Sequence, residues 1–268
     1  MKYLISFLIP VIISSILVIS CSTVAITGRN QLNIIPDSEM LTTSFQQYGE
    51  FINNNKLSSQ NNNSNMVKRI GTNIQYAVQK YFAKHNMSDR LNGYNWEFNL
   101  VENDEVNAWC MPGGKVVVYT GILPVTHDEN GLAVVMGHEI AHAVAEHGNE
   151  RMSQMLLTQL GGMALSEALS SETQKTSDLW LGVFGVGVQV GVLLPYSRTH
   201  ESEADRLGMI FMALAGYNPN KAAAFWKRMA AQNKSQAPPE FLSTHPSDNT
   251  RINDIMNNLP EAMSYYKK

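Results

Sequence analysis

Two cysteines among 268 residues, Cys21 and Cys110, allow at most one intrachain disulfide, so the fold must be held chiefly by packing. Charge is also scarce. Only 16% of residues are charged, the net charge is −3, and Lys and Arg never gather into a run. A phosphate backbone therefore finds no electrostatic footprint, which argues against nucleic acid as a partner. No internal repeat is visible. Beyond the N-terminus the stretch from Leu160 to Leu194 is rich in glycine and small apolar residues, and its nearly uncharged part, Leu181 to Leu194, is shorter than the ~18 residues of a spanning helix; it reads as buried packing by default, with a mobile cover over a site or a surface that touches membrane as the alternatives. What the chain has in quantity is hydrophobic residues, 44% of the total, enough for one well-buried core with appendages.

Residues 1–20 form an export signal: Lys2, an apolar run from Tyr3 to Ile19, then Ser20 and Cys21. Val18-Ile19-Ser20-Cys21 resembles the bacterial lipobox, in which the cysteine is acylated and becomes the new N-terminus. An uncleaved anchor is the alternative, at the ~17-residue lower limit for spanning. The resemblance implies a lipid on Cys21 and a place in the bacterial cell envelope, with Ser22 suiting the outer membrane, facing the periplasm. With Cys21 acylated no disulfide can form, and Cys110, in an apolar run, reads as a buried inert thiol.

Residues 21–65 read as an N-terminal segment ending in an Asn-rich linker, Asn53 to Asn65, too polar to bury anything. Residues 66–268 read as the main domain. Val67, Ile70, Ile74, Ala77, Val78 and Tyr81 recur at three and four residues, predicting a helix over 66–85. Alternation in Trp96, Phe98 and Leu100, and Lys115 to Tyr119 after the Pro112-Gly113-Gly114 turn, predict two strands. Thr126 and Glu129 match a capping box, opening a helix that runs to His147 with Gly148 as its C-terminal cap. Two further helices are predicted near His200 to Leu214 and Pro219 to Ala231.

The sharpest signal is His138-Glu139-Ile140-Ala141-His142. Residues four apart on a helix share a face, so two imidazoles can grip one zinc ion while Glu139 projects toward its water. The pattern arises by chance in roughly one such chain in a hundred, and the apolar Val134, Val135, Ile140, Ala141 and Val144 make a surface helix a poor alternative. Buried histidines need partners, and a metal supplies them.

Catalytic zinc usually takes three protein ligands. Position 148 is Gly where one peptidase pattern would place a third His, and His147 reads as a hydrogen-bonding partner. Glu201 in His200-Glu201-Ser202-Glu203-Ala204-Asp205 is the best remaining candidate, although an acid on a helix is as often surface charge. Asp205, one turn later, could accept the second N–H of a ligating imidazole. Glu203 points elsewhere and reads as solvated; His85, His127 and His200 read as surface or structural.

Taken together, Asn107-Ala108-Trp109 with Pro112-Gly113-Gly114-Lys115, the His138 to His142 motif, Ser197-Arg198 with Glu201 to Asp205, and Ser243-Thr244-His245-Pro246 with Arg251 resemble the M48 family of zinc metallopeptidases. The resemblance implies an α+β, mostly helical zincin of the gluzincin type, with a small antiparallel sheet whose edge strand borders the active site. It implies one Zn2+ per chain on His138, His142 and Glu201, with Glu139 as general base, and it places His245 near the metal, as a helper or as a latch in the open coordination position. Separately, a developing oxyanion needs a positive partner besides zinc, which His245 or Arg251 could supply. It further implies that Lys115 to Tyr119 is the edge strand to which an extended peptide adds, with Asn107, Gly113, Gly114, Lys115, Val116 and Val117 as substrate contacts. Expected substrates are unfolded or misfolded envelope proteins, cut as quality control. The competing expectation is an envelope chaperone or assembly factor that uses the protease fold to bind unfolded chains.

Overall fold

The computed structural model describes residues 21–59, 61–170, 174, 194–232, 240–246 and 249–267. The apolar stretch from Tyr3 to Ile19 and nearly all of 171–193 lie outside the described residues. In chain order the main elements are β1 (Cys21–Thr23), β2 (Asn30–Leu32), α1 (Asp37–Asn54), α2 (Asn61–Lys84), β3 (Glu97–Val101), β4 (Ala108–Met111), β5 (Lys115–Tyr119), α3 (Glu129–Val144), α4 (His147–Ala168), α5 (Leu194–Leu214), α6 (Lys221–Gln232) and α7 (Asn249–Tyr265).

The chain divides into two compact units, one of residues up to Asp37 with Gly148–Tyr196, the other of Ser38–His147 with Ser197–Lys268. The division therefore does not fall at residue 65. The Asn-rich segment is not a free linker either. Ser58 N–H donates to Leu100 O and Glu102 N–H to Lys56 O, so residues 56–58 cover the outer edge of β3, and α2 starts at Asn61.

In the larger unit the three-stranded sheet runs in the order β3-β5-β4. β5 is parallel to β3 and antiparallel to β4, so the sheet is mixed. Lys115 to Tyr119 is therefore the central strand, and the expectation that it forms the edge is corrected: the edge strand is β4, which carries no strand signal beyond Trp109. The reason lies in its pairing: β5 bonds to β3 on one side and to β4 on the other, and with both faces covered Val116, Val117 and Val118 are all fully buried.

Alternation in β3, β4 and β5 sends Val101, Trp109, Met111, Val117 and Tyr119 toward α1, where they pack on Tyr48, Phe51 and Ile52. Trp109 meets Phe51 edge to face with centroids 4.9 Å apart. On the opposite face α2 presses so close that a Cβ on Gly71 would lie 2.2 Å from the Phe98 ring, and α3 packs against β4 and β5.

α3 is apolar on every side and is buried throughout Gly131–Val144, as a helix without a polar face must be. Its N-cap is Asp128, whose side chain accepts from Gly131 N–H at 2.8 Å, rather than Thr126. Thr126 instead closes a one-turn helix, Leu123–Thr126, with His127 at φ 69° as its C-cap. The expected C-terminus also shifts: α3 stops at Val144, Glu146 adopts φ 59°, and α4 begins at His147 with Gly148 inside it. α7 continues fourteen residues past Arg251 and buries Ile255 and Ala262.

Candidate active site

The site forms where α3 and α5 cross, and the crossing is unusually close. A Cβ on Gly208 would lie 2.8 Å from both Gly137 C and His138 N. With no side chain on either helix at that point, His138 and His142 of α3 come within reach of Glu201, which lies two turns before Gly208.

His138, His142, Glu201 and His245 each aim one donor at a common point, all within 4.8 Å of one another. His138 Nε2 and His142 Nε2 are 3.1 Å apart. Glu201 Oε1 is 3.2 Å from His142 Nε2, and Oε2 is 3.4 Å from His138 Nε2. Nδ1 of His245 is 3.2 Å from His138 Nε2 and 2.9 Å from Glu201 Oε1. Tetrahedral coordination with bonds of ~2.0–2.1 Å places donors ~3.3 Å apart, so this set fits a zinc-sized ion.

The ring nitrogens turned away from that point are held as well. His138 Nδ1 lies 2.9 Å from Asp205 Oδ1. His142 Nδ1 lies 2.9 Å from His147 Nδ1, and His147 Nε2 lies 3.3 Å from Glu203 Oε2. Both arrangements put the proton on Nδ1 and leave Nε2 free to ligate. Glu203 is thus buried beside His147 rather than solvated, and His200 is buried as well, stacked on His147 at 4.3 Å. The two-residue spacing from Glu201 hid this, because Glu203 serves a partner on a different side of α5.

Arg251 packs its guanidinium over Trp226, 3.4 Å from the ring centre. Nε and Nη2 donate to the two Asp205 oxygens at 2.7 and 2.9 Å, Nη1 lies 2.9 Å from Glu201 Oε2, and Nη1 also donates to Pro246 O. A group so engaged positions carboxylates, which is a different task from the oxyanion role expected of it. Trp226 was missed, since a single Trp at helical spacing looks like any core residue.

Burial sets the charges in competition with these neighbours. Desolvation would lower His138, but the Asp205 and Glu201 carboxylates overcome it and push its pKa up to about 9. Burial holds His142 well below its ordinary value. Burial would raise the Glu201 carboxyl, yet the three imidazoles facing it keep it far below the usual carboxylate range. Burial raises the Glu139 pKa against the opposing pull of His245 and His138. Glu139 Oε1 is buried and accepts no hydrogen bond from the described residues, with His245 Nε2 at 3.4 Å.

Of the expected substrate contacts, Gly113 and Gly114 form the β4–β5 turn at φ 85° and 82°, a conformation that favours glycine. A Cβ on Gly113 would strike Phe45, and one on Gly114 would strike Trp96. Lys115 is buried against Phe45 and Tyr48 on the face toward α1, while Val116 and Val117 are sealed within the sheet. The Asn107 side chain accepts from Ala108 N–H at 2.9 Å. Cys110 on β4 is only half-buried; burial, then the nearby Glu139 charge, pushes its thiol well up.

Two histidines one helical turn apart, a glutamate between them and a carboxylate from a second helix define the class of metallopeptidase sites. The model of peptidase family M48 matches residues 70–258, and the chain belongs to that family, whose metallopeptidases are zinc-dependent. It is 36% identical over 190 residues, 70% of this chain and 53% of the other, to the mitochondrial metalloendopeptidase OMA1 of Schizosaccharomyces pombe. It is 35% identical over 174 residues to the mitochondrial metalloendopeptidase OMA1 of Bos taurus, 63% of this chain and 33% of that one. To the beta-barrel assembly-enhancing protease of Yersinia pestis it is 31% identical over 167 residues, 60% and 34% of the two chains. The chain thus spans about half or less of the length of these relatives.

Proposed function

We propose that this protein is a zinc metalloendopeptidase that cuts unfolded or loosely structured polypeptides in the bacterial cell envelope, tethered by a lipid on Cys21. The reading is carried by one observation: a buried donor set with zinc-like spacing lies beside a carboxylate oxygen, on Glu139, that is buried and accepts no hydrogen bond among the described residues. The ion would be held by His138, His142 and Glu201. When bound it supplies a Lewis acid and lowers the pKa of water toward neutrality.

Glu139 takes the proton from the attacking water and passes it to the leaving amine. His245, whose Nε2 faces Glu139, donates toward the developing oxyanion. Asp205, with Arg251 behind it, keeps the His138 ring turned for ligation. The substrate lies extended along β4, reading backbone groups rather than side chains, so folded proteins are excluded.

The export signal and lipobox-like residues support the placement in the envelope and the lipid on Cys21. The name of the Yersinia pestis relative favours a second reading, in which the fold also assists the assembly of other proteins. Glu139→Gln separates the readings. It should keep stoichiometric zinc and lose casein hydrolysis by at least a hundredfold, whereas His142→Ala loses both. Parental hydrolysis by the Gln variant would remove Glu139 from its role, and suppression of aggregation that survives the substitution would favour the assembly factor.

A further inference from the structure

In the smaller unit α4 is built inside out. Its polar Asn149, Ser153 and Gln154 are buried, while Met152, Met155, Leu160 and Met163, spaced along one face, are 46%, 62%, 51% and 61% exposed. No charged residue occurs from Met152 to Ser166. With Ile35 and Leu156, part of this face lines an open groove of about 520 Å³. Exposed Met and Leu in such density need a cover.

We infer that α4 lies on the lipid bilayer, its Met152 to Met163 face seated among the acyl chains at the headgroup boundary. The inference rests on the reading of Cys21 as the acylated residue. Cys21 pairs with Leu32 across the β1–β2 ladder, and two residues on, Ile34 N–H donates to Ser153 Oγ at 2.9 Å. Cross-strand spacing plus two extended residues puts the Cys21 backbone within roughly 15 Å of α4.

That tie is stiff. Asn149 Nδ2 donates to Ile35 O at 2.8 Å, and Arg29 makes a two-point contact with buried Glu150 at 2.9 and 2.7 Å. A lipid inserted from Cys21 therefore holds this face at the membrane surface. No described helix is long and apolar enough to cross a membrane, so α4 lies along the surface, with its exposed Met and Leu side chains at the acyl boundary. The lipid on Cys21, a few residues from this face, favours the bilayer over a protein partner or a second copy as its cover.

The test places a photo-crosslinking amino acid at 155, 160 or 163 of the full-length chain in a bacterial host. Tyr76 and Met256 of the larger unit, 57% and 50% exposed, serve as control positions. After irradiation, phospholipid adducts should form at least fivefold more at the three α4 positions than at the controls. Protein adducts from α4, to a second copy or to another chain, overturn the inference, as does equal or absent lipid labelling. Mass spectrometry of Cys21 on the same material separates the two readings: acylation without lipid adducts sinks the α4 surface alone, and lipid adducts without acylation sink the anchor alone.

Discussion

Gly137 and Gly208 touch across the crossing of α3 and α5, where a Cβ on Gly137 would come within 2.8 Å of the Gly208 carbonyl oxygen. The neighbour is backbone, so it cannot rotate away as a side chain could. Gly208→Ala must push the helices apart, carrying Glu201 away from His138 and His142. The expected outcome is a loss of about 1–3 kcal/mol in urea unfolding, typical of overpacking, with zinc affinity lowered at least tenfold in competition with a chromogenic chelator. Unchanged affinity would mean the crossing does not set the ligand spacing.

His147 and Glu203 stand to His142 as Asp205 stands to His138, each fixing the outer nitrogen of a ligating ring. His147→Phe keeps an aromatic ring on His200 but removes the acceptor for His142 Nδ1. Zinc affinity should fall 10–100-fold, the usual range for groups that orient a ligand. Glu203→Gln retains an acceptor oxygen and should cost less. Equal losses from both substitutions would point to general damage rather than to the hydrogen-bond chain.

How legible this was in the sequence differs from residue to residue. His138, Glu139 and His142 declare themselves because a single helix turn sets their geometry; Glu201 stood out as the best remaining acid but was fixed as a ligand only through the family resemblance, and His245 was named only through it. The burial of β5 was readable, because three consecutive valines signal a strand covered on both faces, but its place between β3 and β4 depends on long-range pairings that the local pattern does not encode. β4 was not readable, since Ala108–Met111 is short and its pairing depends on a partner across the Gly113-Gly114 turn. The capping box failed because Asp128 competes with Thr126 for the same helix start, and only Asp128 has extended backbone there. The tasks of Glu203, His200 and Arg251 are set by three-dimensional neighbours that no spacing along the chain encodes.

Arg251 is buried with its guanidinium on Trp226, and its charge is balanced by Asp205 and Glu201. Arg251→Met would strand two buried carboxylates, an effect of about 3–5 kcal/mol in unfolding of the metal-free protein. Arg251→Lys restores the charge but not the fork or the stack, so it should recover only part of that stability. Full recovery by Lys would show that charge alone matters there.

Because β4 is the open edge of the sheet among the described residues, peptide recognition should depend on its backbone and not on Lys115 to Tyr119. Tyr119 N–H donates to Asn107 O, so alternation turns the backbone groups of Trp109 toward β5 and those of Ala108 and Cys110 outward. Ala108 N–H is already taken by Asn107 Oδ1, which leaves Cys110 N–H as the outward donor for an incoming strand. Cys110→Pro removes that donor at a position where an edge strand tolerates proline. One backbone hydrogen bond corresponds to about 0.5–1.5 kcal/mol, so kcat/KM on an unfolded substrate should fall by roughly 2–10-fold with zinc content intact. Cys110→Ala keeps the donor and should cleave at the parental rate; an equal loss in that variant would trace the effect to the thiol, and no loss in either would move the substrate off this edge.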